Sequence, residues 1–189
     1  MRIYTAILIV LLLLVFGCRN PFATREPEPP TGEQLPLLEP TSAENVLKNL
    51  EISCEHMSIN NYMDTLSEDF LFLPDPSDSD RFPDVFSEPW GREEESIFCQ
   101  KLFDKEMTTL ISFSSSVDSN ATVIEETADF VHYRYDYHIA LIHHTDAPRS
   151  VKGSAEFSLR CDQQGNWIIF HWEDEKTDSH TWGELRATF

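Results

Sequence analysis

The stretch DFVHYRYDYHIALIHH at 129–144 places His132, Arg134, Asp136 and His138 two residues apart. Imidazoles and carboxylates are the material of metal centres and proton relays, so this spacing is the first candidate for chemistry. On a strand, alternate residues share a face at about 3.3 Å per residue, which leaves His132 and His138 too far apart to grip one ion without ligands from other strands. The four residues suit a solvated sheet face, with Glu156, Arg160, His143 or His171 opposite in cross-strand pairs, or a face on which two copies of the chain form a homodimer. A second candidate is PDPSDSD at 74–80, which gathers Asp75, Asp78 and Asp80. A calcium loop needs denser acid alternation, a glycine at its tight turn and a late glutamate, so an acidic loop is expected here. The third candidate is apolar. Tyr133, Tyr135 and Tyr137 fall on one side of the 129–144 stretch, and with Tyr62, Trp90, Phe98 and Phe157 they could line a cavity with hydroxyls at its mouth or fill an ordinary core. No C-x-x-C, phosphate loop or dinucleotide fingerprint occurs, and neither a metal nor a cofactor is expected.

The elements that must position these groups change period halfway along the chain. Thr41-Ser42-Ala43-Glu44 has capping-box spacing, and Val46, Leu47, Leu50 and Cys54 recur on one helical face behind it. Ser58 can cap a second, shorter helix carrying Tyr62, Met63 and Leu66, and DFLFLP then reads as a strand stopped by Pro74. A loop with Phe82, Val85, Phe86 and Trp90 leads to a third helix over 92–105, with acids first and lysines last, on which Ile97, Phe98, Lys101 and Leu102 share a side. From Thr108 the period is two. TTLISFSSSV and ATVIEETA flank a turn at 118–120, and the strands DFVHYRYDYHIALIHH, SVKGSAEFSLRC and WIIFHWED follow, the last two joined by a turn at 162–166. Three helices and then an antiparallel meander make an α+β domain in which a curved sheet wraps the helices. Trp182 and Leu185, beyond the last strand, are expected to fold back onto it.

Composition narrows the partners. With 33 acidic against 14 basic residues the 189-residue chain carries a formal charge of −19, and it has no basic cluster that could release counterions from nucleic acid. Residues 1–17 run from Arg2 through an apolar stretch to Gly17, the anatomy of an export signal and too short for a bilayer span. Residues 19–40 contain six prolines and four glutamates among few large apolar residues and read as an extended tether. Cys54, Cys99 and Cys161 each sit in an apolar pattern and are expected as buried thiols, with a Cys54–Cys99 bridge as the alternative.

Two resemblances sharpen this reading. Val15-Phe16-Gly17-Cys18 resembles the lipobox of bacterial lipoproteins, although Phe16 and Val15 depart from the residues usual there. The resemblance implies a signal peptide at 1–17, acylation of Cys18, a tether over 18–40 and a folded domain over 41–189 attached to a bacterial membrane outside the cytoplasm. A plain cleaved signal peptide or an N-terminal anchor is the alternative. Further along, ENVLKNLEISCEHMSINNYMDTLSEDFLFLPDP and FSLRCDQQGNWIIFHWEDE resemble the opening and the final hairpin of nuclear transport factor 2-like (SnoaL-like, cystatin-like) domains. That implies a cone: three N-terminal helices packed in a curved, mainly antiparallel sheet. Ketosteroid isomerases and polyketide cyclases share the cone, but aligning through LSEDF puts the isomerase's catalytic aspartate on Pro74, with Asp75 one residue off, and its oxyanion-donating tyrosine on Leu50. The expectation is therefore a non-catalytic module for a small apolar ligand or a protein partner, with a cyclase, isomerase or hydratase as the alternative and a structural homodimer as a third.

Overall fold

Ser42 starts the first helix. Its hydroxyl accepts the Asn45 N–H at 3.2 Å, and α1 (Ala43–Glu55) then buries Val46, Leu47, Leu50 and Cys54 on the predicted stripe. Glu44 does not complete a capping box; its carboxylate accepts the Tyr133 hydroxyl instead. The computed structural model describes residues 35–115, 121–177 and 179–189, so the export-signal segment, Cys18 and the tether up to residue 34 lie outside the described residues. Residues 35–40 form hydrogen bonds with the domain: Asn49 exchanges two of 2.8 Å with the Leu38 backbone, and the Trp167 N–H donates to Pro40 at 2.7 Å.

Six further segments build the helical and edge parts. α2 (Ile59–Asp64) follows Ser58, β1 spans Leu66–Leu73, and the stretch expected as a loop instead holds two short helices, α3 (Pro76–Arg81) and α4 (Pro83–Phe86). Each of those two helices has Pro at its start, where the missing N–H costs nothing, and Asp75 caps the first. β2 (Trp90–Gly91) pairs with β1 and leads into α5 (Arg92–Leu102), where the Glu94 carboxylate accepts the Gly91 N–H at 2.9 Å. The buried stripe of α5 is Glu95, Phe98, Cys99 and Leu102, whereas Ile97, expected on it, is 49% exposed.

The sheet runs β2-β1-β7-β6-β5-β3, where β3 is Thr108–Ser115, β5 Phe130–His143, β6 Ser150–Cys161 and β7 Trp167–Lys176. β4 (Thr122–Glu126) does not form a hairpin with β3, as the flanked turn had implied. Both pair antiparallel with β5, β3 along Tyr137–His143 and β4 along Val131–Arg134, so they are two segments of one sheet edge. β1 lies parallel to β7, and every other pairing is antiparallel. Register breaks within β1–β7 and between Ser158 and Leu159 add local bend to the sheet's twist. At the β6–β7 turn Asp162 accepts the N–H groups of Gln164 and Asn166, both at 2.8 Å, and Gly165 supplies the positive φ of 88°. The last helix, α6 (Trp182–Thr188), turns back into the core: Trp182 and Leu185 are fully buried.

Candidate functional site

Alternation along β5 sends Val131, Tyr133, Tyr135, Tyr137, Ile139 and Leu141 to the buried side, as the period of two requires. Tyr62, Trp90, Phe98 and Phe157 are buried as well, so all seven aromatic candidates belong to the hydrophobic core. They divide into groups rather than lining one wall. Tyr135 stacks flat on Phe157 with centroids 5.0 Å apart, and Phe157 meets Trp172 at 4.5 Å. Trp90 meets Phe98 and Phe72 edge-on, and Tyr62 meets Phe103. Tyr133 donates to Glu44 near the start of α1. Two surface cavities carry other side chains. A groove of about 810 Å³ has Met63, Phe70, Glu68, Asp69, Arg92 and Glu93 among its walls, and a cleft of about 180 Å³ lies between Leu38, Val46, Asn61 and Trp167.

The polar centre of the cone joins two of the aromatic candidates, Tyr62 and Trp90, to two charged residues that the sequence had not singled out, Glu95 and Arg186. Glu95 occupies the inward stripe of α5 and is fully buried, and its carboxylate receives four hydrogen bonds. Tyr62 Oη donates to Oε1 at 2.6 Å and Trp90 Nε1 to Oε2 at 2.7 Å. Arg186, from α6, completes the set as a two-pronged fork, with Nη2 to Oε1 and Nε to Oε2, both at 2.7 Å. The guanidinium lies 3.8 Å from the Phe72 ring centroid and 4.4 Å from that of Trp172, with Trp182 and Phe98 beyond at 5.3 and 5.4 Å. Burial works against the Arg186 charge, but the facing Glu95 outweighs it and its pKa is raised. Burial also raises the Tyr62 hydroxyl and the Cys99 thiol, so both stay protonated.

A second polar cluster clamps the start of α6. Asp174 stands on the inward alternation of β7 with Trp172; its Oδ1 accepts the Tyr137 hydroxyl at 2.6 Å and its Oδ2 the Gly183 N–H at 2.9 Å. Tyr137 Oη in turn accepts the Trp182 N–H at 2.9 Å. Burial raises the Asp174 pKa to about 6 against the pull of these hydrogen bonds and of Arg186. Asp78 accepts the Thr181 hydroxyl and is raised by burial, and Glu184 accepts from Arg81 at 2.7 Å. Two glycines make this closeness feasible. A Cβ on Gly183 would stand 2.9 Å from Asp78 Oδ2, and one on Gly153 would stand 2.6 Å from Tyr137 Oη.

Asp75 does structural work. Its Oδ1 accepts the Ser77 N–H at 2.8 Å and its Oδ2 the Lys176 N–H at 2.9 Å, tying α3 to the end of β7. Burial pushes its pKa up, but these bonds prevail and the carboxyl lies below its usual range. Leu50, opposite the position where the isomerase has its oxyanion donor, is fully buried. The His/Arg/Asp face of β5 is laced into the sheet: His132 Nε2 lies 3.1 Å from Glu156, Arg134 reaches Glu156, Glu175 and Ser154, and His138 Nε2 lies 3.0 Å from Ser150 Oγ, while Asp136 is exposed. No group of three or more His, Cys, Asp or Glu side chains among the described residues could hold a metal ion. Cys54 and Cys99 are buried thiols, whereas Cys161 is half-exposed, a departure from its expected burial.

No protein-family model and no curated protein matches the sequence. The fold is similar to that of solved structures. A protein of Novosphingobium aromaticivorans named as a candidate aromatic ring hydroxylase superposes with a TM-score of 0.57 at 13% identity, covering 81% of this chain and 99% of its own. A candidate scytalone dehydratase of the same organism gives 0.55 at 13% identity over 72% and 85%. An NTF2-like protein of Cytophaga hutchinsonii gives 0.51 at 11% identity over 70% and 93%. The domain therefore has the nuclear transport factor 2-like, cystatin-like cone fold, with an open, curved sheet around its helices. At these identities the likeness defines the fold alone.

Proposed function

We propose that this chain is a lipid-anchored protein of a bacterial cell envelope whose cone is a non-catalytic module for a small ligand or a protein partner. The observation that carries the second half is the state of the interior carboxylates. A general base needs a free lone pair within hydrogen-bond reach of the proton it removes. Glu95 has four donors on its two oxygens and no lone pair free, while Asp174, with one donor on each oxygen, is buried against the start of α6. The anchor rests on the lipobox-like Val15–Cys18 and the proline-rich stretch behind it.

The competing reading is a cyclase, isomerase or hydratase, and the observation in its favour is the Asp174–Tyr137 pair, an acid of raised pKa beside a hydroxyl. One pair of measurements separates the readings. Full-length protein is labelled in a bacterial host with an alkyne fatty acid, with Cys18→Ser as control; wild-type label lost in the variant supports the anchor, and an unlabelled wild type overturns it. Small molecules are then screened for thermal stabilisation, and each stabilising compound is recovered and analysed by mass spectrometry and chromatography. Recovery unchanged supports a binding module, and time-dependent conversion to a product or isomer overturns it in favour of the enzyme.

A further inference from the structure

The Glu95–Arg186 fork differs from an ordinary buried ion pair in how its two halves are supported. Everything on the acidic side is built by the body of the cone. Glu95 comes from α5, Tyr62 from α2 and Trp90 from β2, and the ring faces of Phe72, Phe98 and Trp172 come from β1, α5 and β7. These groups fix a carboxylate's position, satisfy one lone pair on each oxygen and leave the other pair aimed at the space the guanidinium fills. The basic side comes from α6, a seven-residue helix that supplies the Arg186 guanidinium and one further ring beside it, Trp182. A planar fork on a carboxylate, with π faces above it, is how proteins recognise a guanidinium.

We infer that the cone contains a guanidinium-binding socket, made of Glu95, Tyr62, Trp90, Phe72, Phe98 and Trp172, and that Arg186 is its occupant in cis. The ligand class it takes in trans is an alkylguanidinium, a planar cation on a short apolar stem. This deepens the binding-module reading and rests on it. The matching is specific to shape as well as charge. Both Glu95 oxygens need a donor on the free side, and two parallel N–H groups supply them where an ammonium presents a point charge. Arg186 competes from within the same chain at an effective concentration in the millimolar range or above, so the socket is best tested with that side chain removed.

The experiment uses the full chain carrying Arg186→Ala and measures its melting temperature with methylguanidinium or methylammonium at about 10 mM. Selective occupation at a millimolar dissociation constant raises the melting temperature of this variant by roughly 3–6 °C with methylguanidinium. Wild type, where Arg186 competes for the socket, responds less than the variant, and Arg186→Ala with Glu95→Gln does not respond. A folded Arg186→Ala that responds equally to both cations, or to neither, overturns the inference. Should Arg186→Ala fail to fold, it is refolded from urea with each cation. Recovery with methylguanidinium alone supports the socket, and recovery with both or neither overturns it. A negative result here beside a different ligand in the small-molecule screen leaves the binding-module reading standing and removes only the socket.

Discussion

The Glu95→Gln substitution tests whether the buried pair governs stability. Gln has the shape of Glu, so packing against Tyr62, Trp90 and Arg186 is retained and only charge and donor polarity change. Each Glu95 oxygen accepts two hydrogen bonds, so whichever position the amide nitrogen takes, it faces two donors. On the Oε1 side the Tyr62 hydroxyl can rotate to accept, but Arg186 Nη2 cannot; on the Oε2 side both Trp90 Nε1 and Arg186 Nε are donors only. The guanidinium, whose side chain is fully buried, is left without its counter-charge. Breaking such a pair from one side costs about 3–5 kcal/mol, which for a domain of this size lowers the melting temperature by roughly 6–20 °C. Urea unfolding followed by tryptophan fluorescence measures this, with guanidinium salts avoided because they compete for the same carboxylate. Glu95→Leu with Arg186→Met removes both charges together and is expected to recover most of the loss, since the double variant buries neither an unpaired carboxylate nor an unpaired cation. A Glu95→Gln variant within 1 kcal/mol of wild type, or a double variant less stable than the worse single one, refutes the reasoning.

Three further outcomes follow from the same contacts. Asp174 has a folded pKa raised to about 6, against about 3.9 when unfolded, so its contribution is present at low pH and is lost as pH rises through 6. Asp78 shifts the same way, His171, lowered by burial, opposes them as pH falls, and Asp69, held at about 2 by Arg160, matters only in stronger acid. Wild type measured against Asp174→Asn is therefore expected to lose roughly 1–1.5 kcal/mol between pH 5 and 8, and a pH-independent difference would count against the assignment. Tyr137→Phe removes the donor to Asp174 and the acceptor of the Trp182 N–H, an expected loss of roughly 2–4 kcal/mol in urea unfolding; a loss under 1 kcal/mol would mean that the clamp on α6 is unimportant. Asp75→Ala removes a helix cap and the acceptor of the Lys176 N–H, so a decrease of about 1 kcal/mol or more with unchanged ligand stabilisation is expected, and lost binding would return Asp75 to a functional role.

The cone was legible because its strands bury one face. A period of two through Tyr133, Tyr135 and Tyr137 has one physical solution when one side meets a core, and the β5 burial pattern follows it. Edge topology was not legible, since β3 and β4 differ from a hairpin only in their common partner, and the local sequence is compatible with either arrangement. The polar centre escaped for a different reason. Three glutamates open α5, and the helix dipole accounts for acids there without distinguishing them. Glu95 is three and four residues before Phe98 and Cys99 and seven before Leu102, and that spacing placed it on the buried stripe. Asp174 carried the same signal, two residues from Trp172 on a strand. Their partners Arg186 and Tyr137 are 91 and 37 residues away, a separation no local pattern encodes.

These separations also bear on what the cone does. A carboxylate buried in an aromatic interior must have its desolvation offset by charge and hydrogen bonds from somewhere. In a catalytic pocket part of that compensation comes from substrate or water, so the apo site keeps an unsatisfied lone pair facing open space. Here each Glu95 oxygen has one donor from the cone wall and one from Arg186. Half of the compensation therefore comes from the cone wall and half from Arg186, and in this arrangement no lone pair of Glu95 is left to take a proton. An acid that is never free of donors does not act as a base, but it can select what replaces its partner.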